Sequence, residues 1–345
     1  MRMRKLLFFV GIGMFAVLFF FPAEFASGFS AGLLNCVQVV IPSLFPFLVA
    51  SSLAGAGEMP SIIKRFAEPI MQRLFRLPAE CLPAVILGQL GGYLSGAKSA
   101  ESLYSSGIIS RSQARKLLLF CVNSGVGFSV NAVGNALLGS REAGKIILAS
   151  LCVSSTVTGF FIRFIRDDAC ETEKNVRQKF SFSSATVGCV SSASSSMLIC
   201  CGFVCFFSGL IAVIGGTVDN RFARIIFSCL IEVTSGCAAA AGEISIPALA
   251  SVCAFGGLCV HMQIFSLSKK FGISIPLFYL FRIVHSGLSY AVCRVILFFF
   301  PAEITASVTS GAVAQMWSFS PSAAISLLFL CSLLILDLDN GRKVC

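Results

Sequence analysis

The sequence predicts an all-α polytopic membrane protein, made of two related halves that carry broken or re-entrant helices. Composition is the first observation. Of 345 residues, 56% are hydrophobic and 12% charged, at a mean hydropathy of +0.89, so the chain has too little polar surface to wrap a water-soluble core. The second is spacing: uncharged runs long enough to enter a bilayer recur between short basic clusters. The third is a pair of interruptions, Gly91-Gly92-Tyr93-Leu94-Ser95-Gly96-Ala97-Lys98 at the end of the apolar run 81–97, and Glu232-Val233-Thr234-Ser235-Gly236 downstream. Hydrocarbon supplies no water to broken backbone. Irregular chain with polar side chains therefore persists at that depth only when buried in protein or lining a wet cavity.

The elements follow in chain order. Residues 6–23 are uncharged behind Met1-Arg2-Met3-Arg4-Lys5; they exceed a signal-peptide core and are expected to stay as a membrane helix with its basic end in the cytoplasm. The run 25–57 contains Ile41-Pro42-Ser43-Leu44-Phe45-Pro46-Phe47, where proline removes a donor and crowds the preceding turn, so a kink or interruption is expected. In 58–80 the basic Lys64, Arg65, Arg73 and Arg76 alternate with Ile62, Ile63, Phe66, Ile70 and Leu74 at near-helical spacing. That is the pattern of a helix lying on an anionic membrane surface.

Ser110-Arg111-Ser112-Gln113 reads as a helix start with a capping box. The uncharged run 117–140 is interrupted by Asn123-Ser124-Gly125-Val126-Gly127, which suits an unwound or hairpin tip, or close helix packing through small residues. Residues 146–162 make another span, and 163–179, with five basic and four acidic residues, a hydrophilic loop. Half of residues 181–196 are serine, ahead of the clean apolar span 197–218. Residues 271–302 carry Arg282 and Arg294, and a last span is expected near 320–336. Arg282 and His285 fall on one helix face, so Arg282 either has a partner or cavity, or snorkels to the interface.

The second half repeats the order of the first. Leu230-Ile231-Glu232-Val233-Thr234-Ser235-Gly236 answers the Gly91-Gly92 break, and Ala254-Phe255-Gly256-Gly257-Leu258 answers Val122-Asn123-Ser124-Gly125-Val126. Matching interrupted segments in two halves point to a transporter with its site at the repeat interface. The expected organisation is 1–28, an N-terminal membrane helix; 29–165, the first half; 166–196, a hydrophilic and Ser-rich linker; 197–302, the second half; and 303–345, a C-terminal membrane helix and tail.

Other function classes find little support. The net charge of +10 comes from clusters between apolar runs, without zinc-finger spacing or a basic helix, which describes cytoplasmic loops rather than a nucleic-acid surface. The sixteen cysteines lie mostly inside apolar runs, without Cys-x-x-Cys, beside only two histidines. They read as small packing residues, and no metal, cofactor or catalytic thiol is expected. An intramembrane enzyme needs a nucleophile with a base or metal cluster, and none is apparent.

The motifs from Ile41-Pro42-Ser43-Leu44-Phe45-Pro46-Phe47 through Glu68-Pro69-Ile70-Met71, Leu74-Phe75-Arg76-Leu77-Pro78, Gly92-Tyr93-Leu94-Ser95-Gly96-Ala97-Lys98 and Asn123-Ser124-Gly125 closely resemble the YlbJ-type sporulation integral membrane proteins. These belong to the group with the nucleoside-recognition Gate domain, similar in plan to concentrative nucleoside transporters. The resemblance spans roughly residues 5–300 and implies a multi-pass protein of the mother-cell-derived outer forespore membrane that moves dipicolinic acid toward the forespore. A nucleoside-type transporter and a non-transporting sporulation assembly protein are the alternatives.

For a flat dianion the expected partners are cations, hydroxyls and backbone N–H groups at half-helix ends. Lys98 is assigned the charge-pairing role. Ser95, Ser124 and the Asn123 amide supply hydrogen bonds, Gly92, Gly96 and Gly125 give close backbone approach, and Tyr93 stacks or donates. Glu232, with Thr234, Ser235 and Gly236, completes the candidate site; its carboxylate either takes up a coupling proton, pairs with a cation or substrate group, or is tied to a helix end. A proton or sodium ion is the candidate coupling ion.

Overall fold

A computed structural model of the protein describes residues 2–165 and 182–302. All regular elements among them are helices, and five apolar segments are long enough to cross a membrane: Pro22–Ala56, Arg141–Ile162, Phe182–Thr217, Ile246–Leu267 and Ile275–Phe299. The chain is thus a multi-pass α-helical membrane protein. The expected span at 320–336 and most of the hydrophilic loop 163–179 lie outside the described residues.

Helix α1 (Arg2–Phe20) is followed by α2 (Pro22–Asn35), which Pro22 restarts in its first turn. A π-helical turn, Cys36–Val40, joins α2 to α3 (Ile41–Ala56), with the Ile41 N–H bonded to the Cys36 carbonyl. The expected disruption thus sits just ahead of its prolines: Pro42 has no N–H to offer the preceding turn, and the backbone widens to compensate. Gly28 and Gly32 let α2 lie directly on α9 (Phe182–Thr217). A Cβ on Gly28 would fall 2.5 Å from both Ala212 Cβ and the Ser208 carbonyl oxygen.

α4 (Ser61–Phe75) has the amphipathic form expected of it. Ala67, Met71 and Phe75 face protein, while Ile62, Phe66 and Ile70 are exposed beside Lys64, Arg65 and Arg73. α5 (Leu82–Leu90) and α6 (Tyr93–Ser105) are separated by Gly91-Gly92, where Gly92 takes φ +107°. Residues 93–101 are all buried, so α6 is wrapped in protein rather than lipid. α7 (Arg111–Phe120) starts with the Ser110–Gln113 capping box as expected, and it unwinds over residues 121–125. A wide π-helical segment, Gly127–Leu137, carries the chain on to α8 (Arg141–Ile162).

α9 corrects the expectation that the Ser-rich stretch is linker: from Phe182 onward it is the start of a 36-residue helix. Ser194, Ser195 and Ser196 each return their hydroxyl to the carbonyl four residues back. They hide their polarity inside the helix instead of competing with it. α10 (Arg221–Ile231), α11 (Val233–Ala240), α12 (Ile246–Phe255), α13 (Gly257–Leu267) and α14 (Ile275–Phe299) complete the described chain. α10 and α11 part at Glu232, which is extended, and α12 and α13 part at Gly256-Gly257, both at positive φ. α14 packs against α8 and α12, and α6 against α3, α5, α7 and α13.

Candidate functional site

The four helix breaks meet. Around Gly125 the backbone is so close to Gly91-Gly92 that an added Cβ would lie 2.6 Å from the Gly92 nitrogen and 2.7 Å from the Leu90 oxygen. A Cβ on Gly257 would lie 3.2 Å from the Ile231 oxygen and 3.3 Å from the Glu232 nitrogen. Each pair of broken elements therefore crosses at its breaks, main chain against main chain. Tyr93 joins the two crossings: its hydroxyl donates to the Cys253 carbonyl, and its ring lies 3.2 Å from where a Gly256 Cβ would stand.

Beside this junction is a partly open cavity. Gly91, Gly92, Tyr93 and Leu94 form one wall, Gly125, Gly127 and Phe128 a second, and Glu232, Val233 and Thr234 a third. Val260 and Gln263 of α13, Cys200 and Val204 of α9, and residues 39, 40, 43 and 44 at the kinked α2–α3 join close it. The wall is mostly apolar, with Glu232 as its carboxylate. That carboxylate faces its own helix: Oε1 accepts from the Thr234 N–H at 2.8 Å and Oε2 from the Ser235 N–H at 2.7 Å. A negative group at the positive end of α11 is held there by both hydrogen bonds and the helix dipole.

Of the residues predicted from sequence, Gly92, Tyr93, Gly125, Glu232 and Thr234 line the cavity. The others stand behind it. Ser95 donates to the Gly91 carbonyl at 3.1 Å, Ser124 shares a 2.7 Å hydrogen bond with Ser129, and the Ser235 N–H is capped by Glu232. Gly96 and Gly236 are close-approach points, since a Cβ would strike the Cys121 oxygen at 1.8 Å and Cys229 Cα at 2.5 Å. The Asn123 amide donates to Gln89 Oε1 and, at 3.3 Å, to the Leu151 carbonyl. Gln89 in turn donates to Ser155 at 2.6 Å.

Lys98 is not among the cavity-lining residues. Its ammonium group is bonded to Glu101 Oε2 at 2.8 Å and to Ser192 Oγ at 2.6 Å. Six residues along α6 from Gly92, it is about 9 Å further down the helix axis. Glu101 also receives Lys270 at 2.5 Å and Ser105 at 3.1 Å, and it lies outside the five spans. Burial pushes its carboxyl up, but the hydrogen bonds from Lys270 and Lys98 outweigh that and hold it below its ordinary value.

Sequence reasoning left out Gln263, Cys200 and Val204, whose positions inside uninterrupted apolar runs give no local signal. For Arg282 the sequence allows either a buried partner or cavity, or snorkelling to the interface. Arg282 is 1% exposed, so it does not snorkel; Nη1 donates to the Val122 carbonyl at 2.6 Å and Nη2 to the Leu119 carbonyl at 2.9 Å. These are carbonyls that the end of α7 leaves without helical partners, and a guanidinium fork fits them. His261 does the same at the other crossing, bonding the Phe255 carbonyl at 2.8 Å through Nε2.

Over 128 residues the chain is 31% identical to the sporulation integral membrane protein YlbJ of Bacillus subtilis (strain 168), a match that covers 36% of this chain and 31% of that protein. The similarity therefore spans about a third of the relative's length. No family model matches the chain, and no solved structure matches it. The protein is a multi-pass membrane protein related to a sporulation integral membrane protein.

Proposed function

We propose that the chain is a membrane transporter that moves a small polar anionic solute through the cavity where its helix breaks meet, the solute being dipicolinate by the family resemblance. The observation that carries this reading is the junction itself: four interrupted helices, crossing in pairs through backbone contact, beside one shared cavity. Broken backbone at such a depth is costly unless it lines a hydrated path, and half-helix ends aimed at a solute are the recurring device of secondary transporters.

The path of the chain supports two related halves of opposite orientation. α5–α6 forms a hairpin whose open end shares one side with α4, the α13–α14 turn and the end of α8. Lys270 reaches Glu101, Arg111 reaches the Phe271 carbonyl, and Arg76 reaches the Arg163 carbonyl. From there α7 with its π-helical continuation, then α8, then α9 make three crossings before α10–α11. Three is odd, so the second hairpin enters from the other side. Rocking of one half against the other about the shared cavity then gives alternating access.

A nucleoside-type solute is the second reading, favoured by the presence of Glu232 and Gln263 and of no lysine or arginine among the lining residues. Flux into reconstituted vesicles separates the two. Uptake of labelled dipicolinate that unlabelled dipicolinate abolishes and uridine does not supports the first, and the reverse pattern supports the second. An imposed proton or sodium gradient identifies the coupling ion. Absence of flux for both solutes leaves the non-transporting assembly role.

A further inference from the structure

The transport reading leaves one buried charge without a task. Arg282 donates to the Val122 and Leu119 carbonyls, and its guanidinium stands 5.6 Å from the Phe278 ring centroid. Among the described residues no carboxylate pairs with it, and its Nε has no hydrogen-bond partner. The carbonyl end of a helix carries only about half a negative charge, so roughly half of the guanidinium charge stays uncompensated. On the opposite wall the Glu232 carboxylate, which lines the cavity, is offset to the same extent by the N-terminus of its own helix and keeps about half a negative charge. The cavity is therefore polarised, positive on its α7 side and negative on its α11 side. Gly125, which lines it, is three residues beyond Val122, a reach on the order of 10 Å.

We propose that Arg282, rather than Lys98, is the fixed positive charge by which this cavity selects an anionic solute, a role that rests on the transport reading above. Arg282 acts without touching the solute. It holds the end of α7 open and sets the potential where Gly125 meets Gly92. Lys98 cannot fill that role from its place, because it does not line the cavity and its ammonium group is already held by Glu101 and Ser192. Two unit charges about 10 Å apart in a protein-like dielectric change an equilibrium on the order of tenfold. That is the size of the expected selectivity.

The test uses full-length protein in vesicles with two solutes of one shape: dipicolinate and its uncharged counterpart, pyridine-2,6-dicarboxamide. Wild type is expected to prefer the dianion, and Arg282→Gln to lower the dipicolinate-to-diamide ratio of kcat/KM on the order of tenfold while diamide flux persists. Arg282→Lys, which keeps the charge but not the fork, is expected to slow both solutes yet hold the ratio within about threefold. If Arg282→Gln does not reach the vesicle membrane, the lysine variant decides alone: a ratio that has collapsed overturns the proposal. Equal loss of both solutes in Arg282→Gln, or an unchanged ratio, reduces Arg282 to a backbone cap and overturns it as well. Wild type that moves neither solute brings down the transport reading itself, a separate result from a ratio that fails to respond.

Discussion

At the scale of single residues the decisive fact is where charge is already spent. Lys98 and Glu101 are both buried and within 2.8 Å, and Lys270 closes the group from the α13–α14 turn. Removing Lys98 leaves Glu101 with Lys270 and Ser105, so the cost falls below that of a stranded buried charge, to about 1–2 kcal/mol. Lys98→Met is therefore expected to lower the melting temperature in detergent, and Lys98→Met with Glu101→Gln to recover most of the loss. Additive losses in the double variant would show that the two side chains are uncoupled. The same pair makes a statement about pH. A carboxyl held below its ordinary 4.5 stabilises the fold above that value and loses its contribution as pH falls through the depressed one. Wild type should lose more stability than Glu101→Gln between about pH 5 and pH 3, and parallel curves would contradict this. Glu232 differs, since its carboxylate caps α11 directly. Glu232→Ala is expected to cost about 1–2 kcal/mol of stability, read from the same melts.

At the scale of elements, each break works because two main chains can touch. Gly125 has no room for a methyl group, the obstacles being backbone atoms of residues 90–92 that cannot rotate away. Gly125→Ala should therefore abolish flux and destabilise the fold, with Gly202→Ala, which meets nothing within 4 Å, as the neutral control. Flux retained in Gly125→Ala would mean that the crossing is not needed. The four expected positions of interruption were legible in the sequence because clustered glycines, an asparagine and a lone carboxylate are costly inside an apolar run. The Ser-rich start of α9 was not. Hydroxyls bonded back to their own helix look, residue by residue, like a linker. Amphipathic α4 was legible throughout, since its spacing alone fixes which face packs on protein.

At the scale of the whole molecule the prediction is topological. Reporter fusions after Gly57 and in the turn at residues 106–108 should report one side of the membrane, and fusions at Gly139 and at residues 218–220 the other. Identical signals from the turns at 106–108 and 218–220 would refute opposed hairpins. The sequence by itself determined that this chain enters a membrane as helices and that four of its segments are interrupted, because hydropathy and helix-breaking chemistry are local properties. Tertiary structure alone decided which interruptions touch and which side chains reach the cavity, as with Lys98, engaged by Glu101 and Ser192, and Arg282, bonded to carbonyls some 160 positions away in the chain. Whether a buried charge is free or neutralised depends on partners brought together only by packing, and no local pattern encodes them.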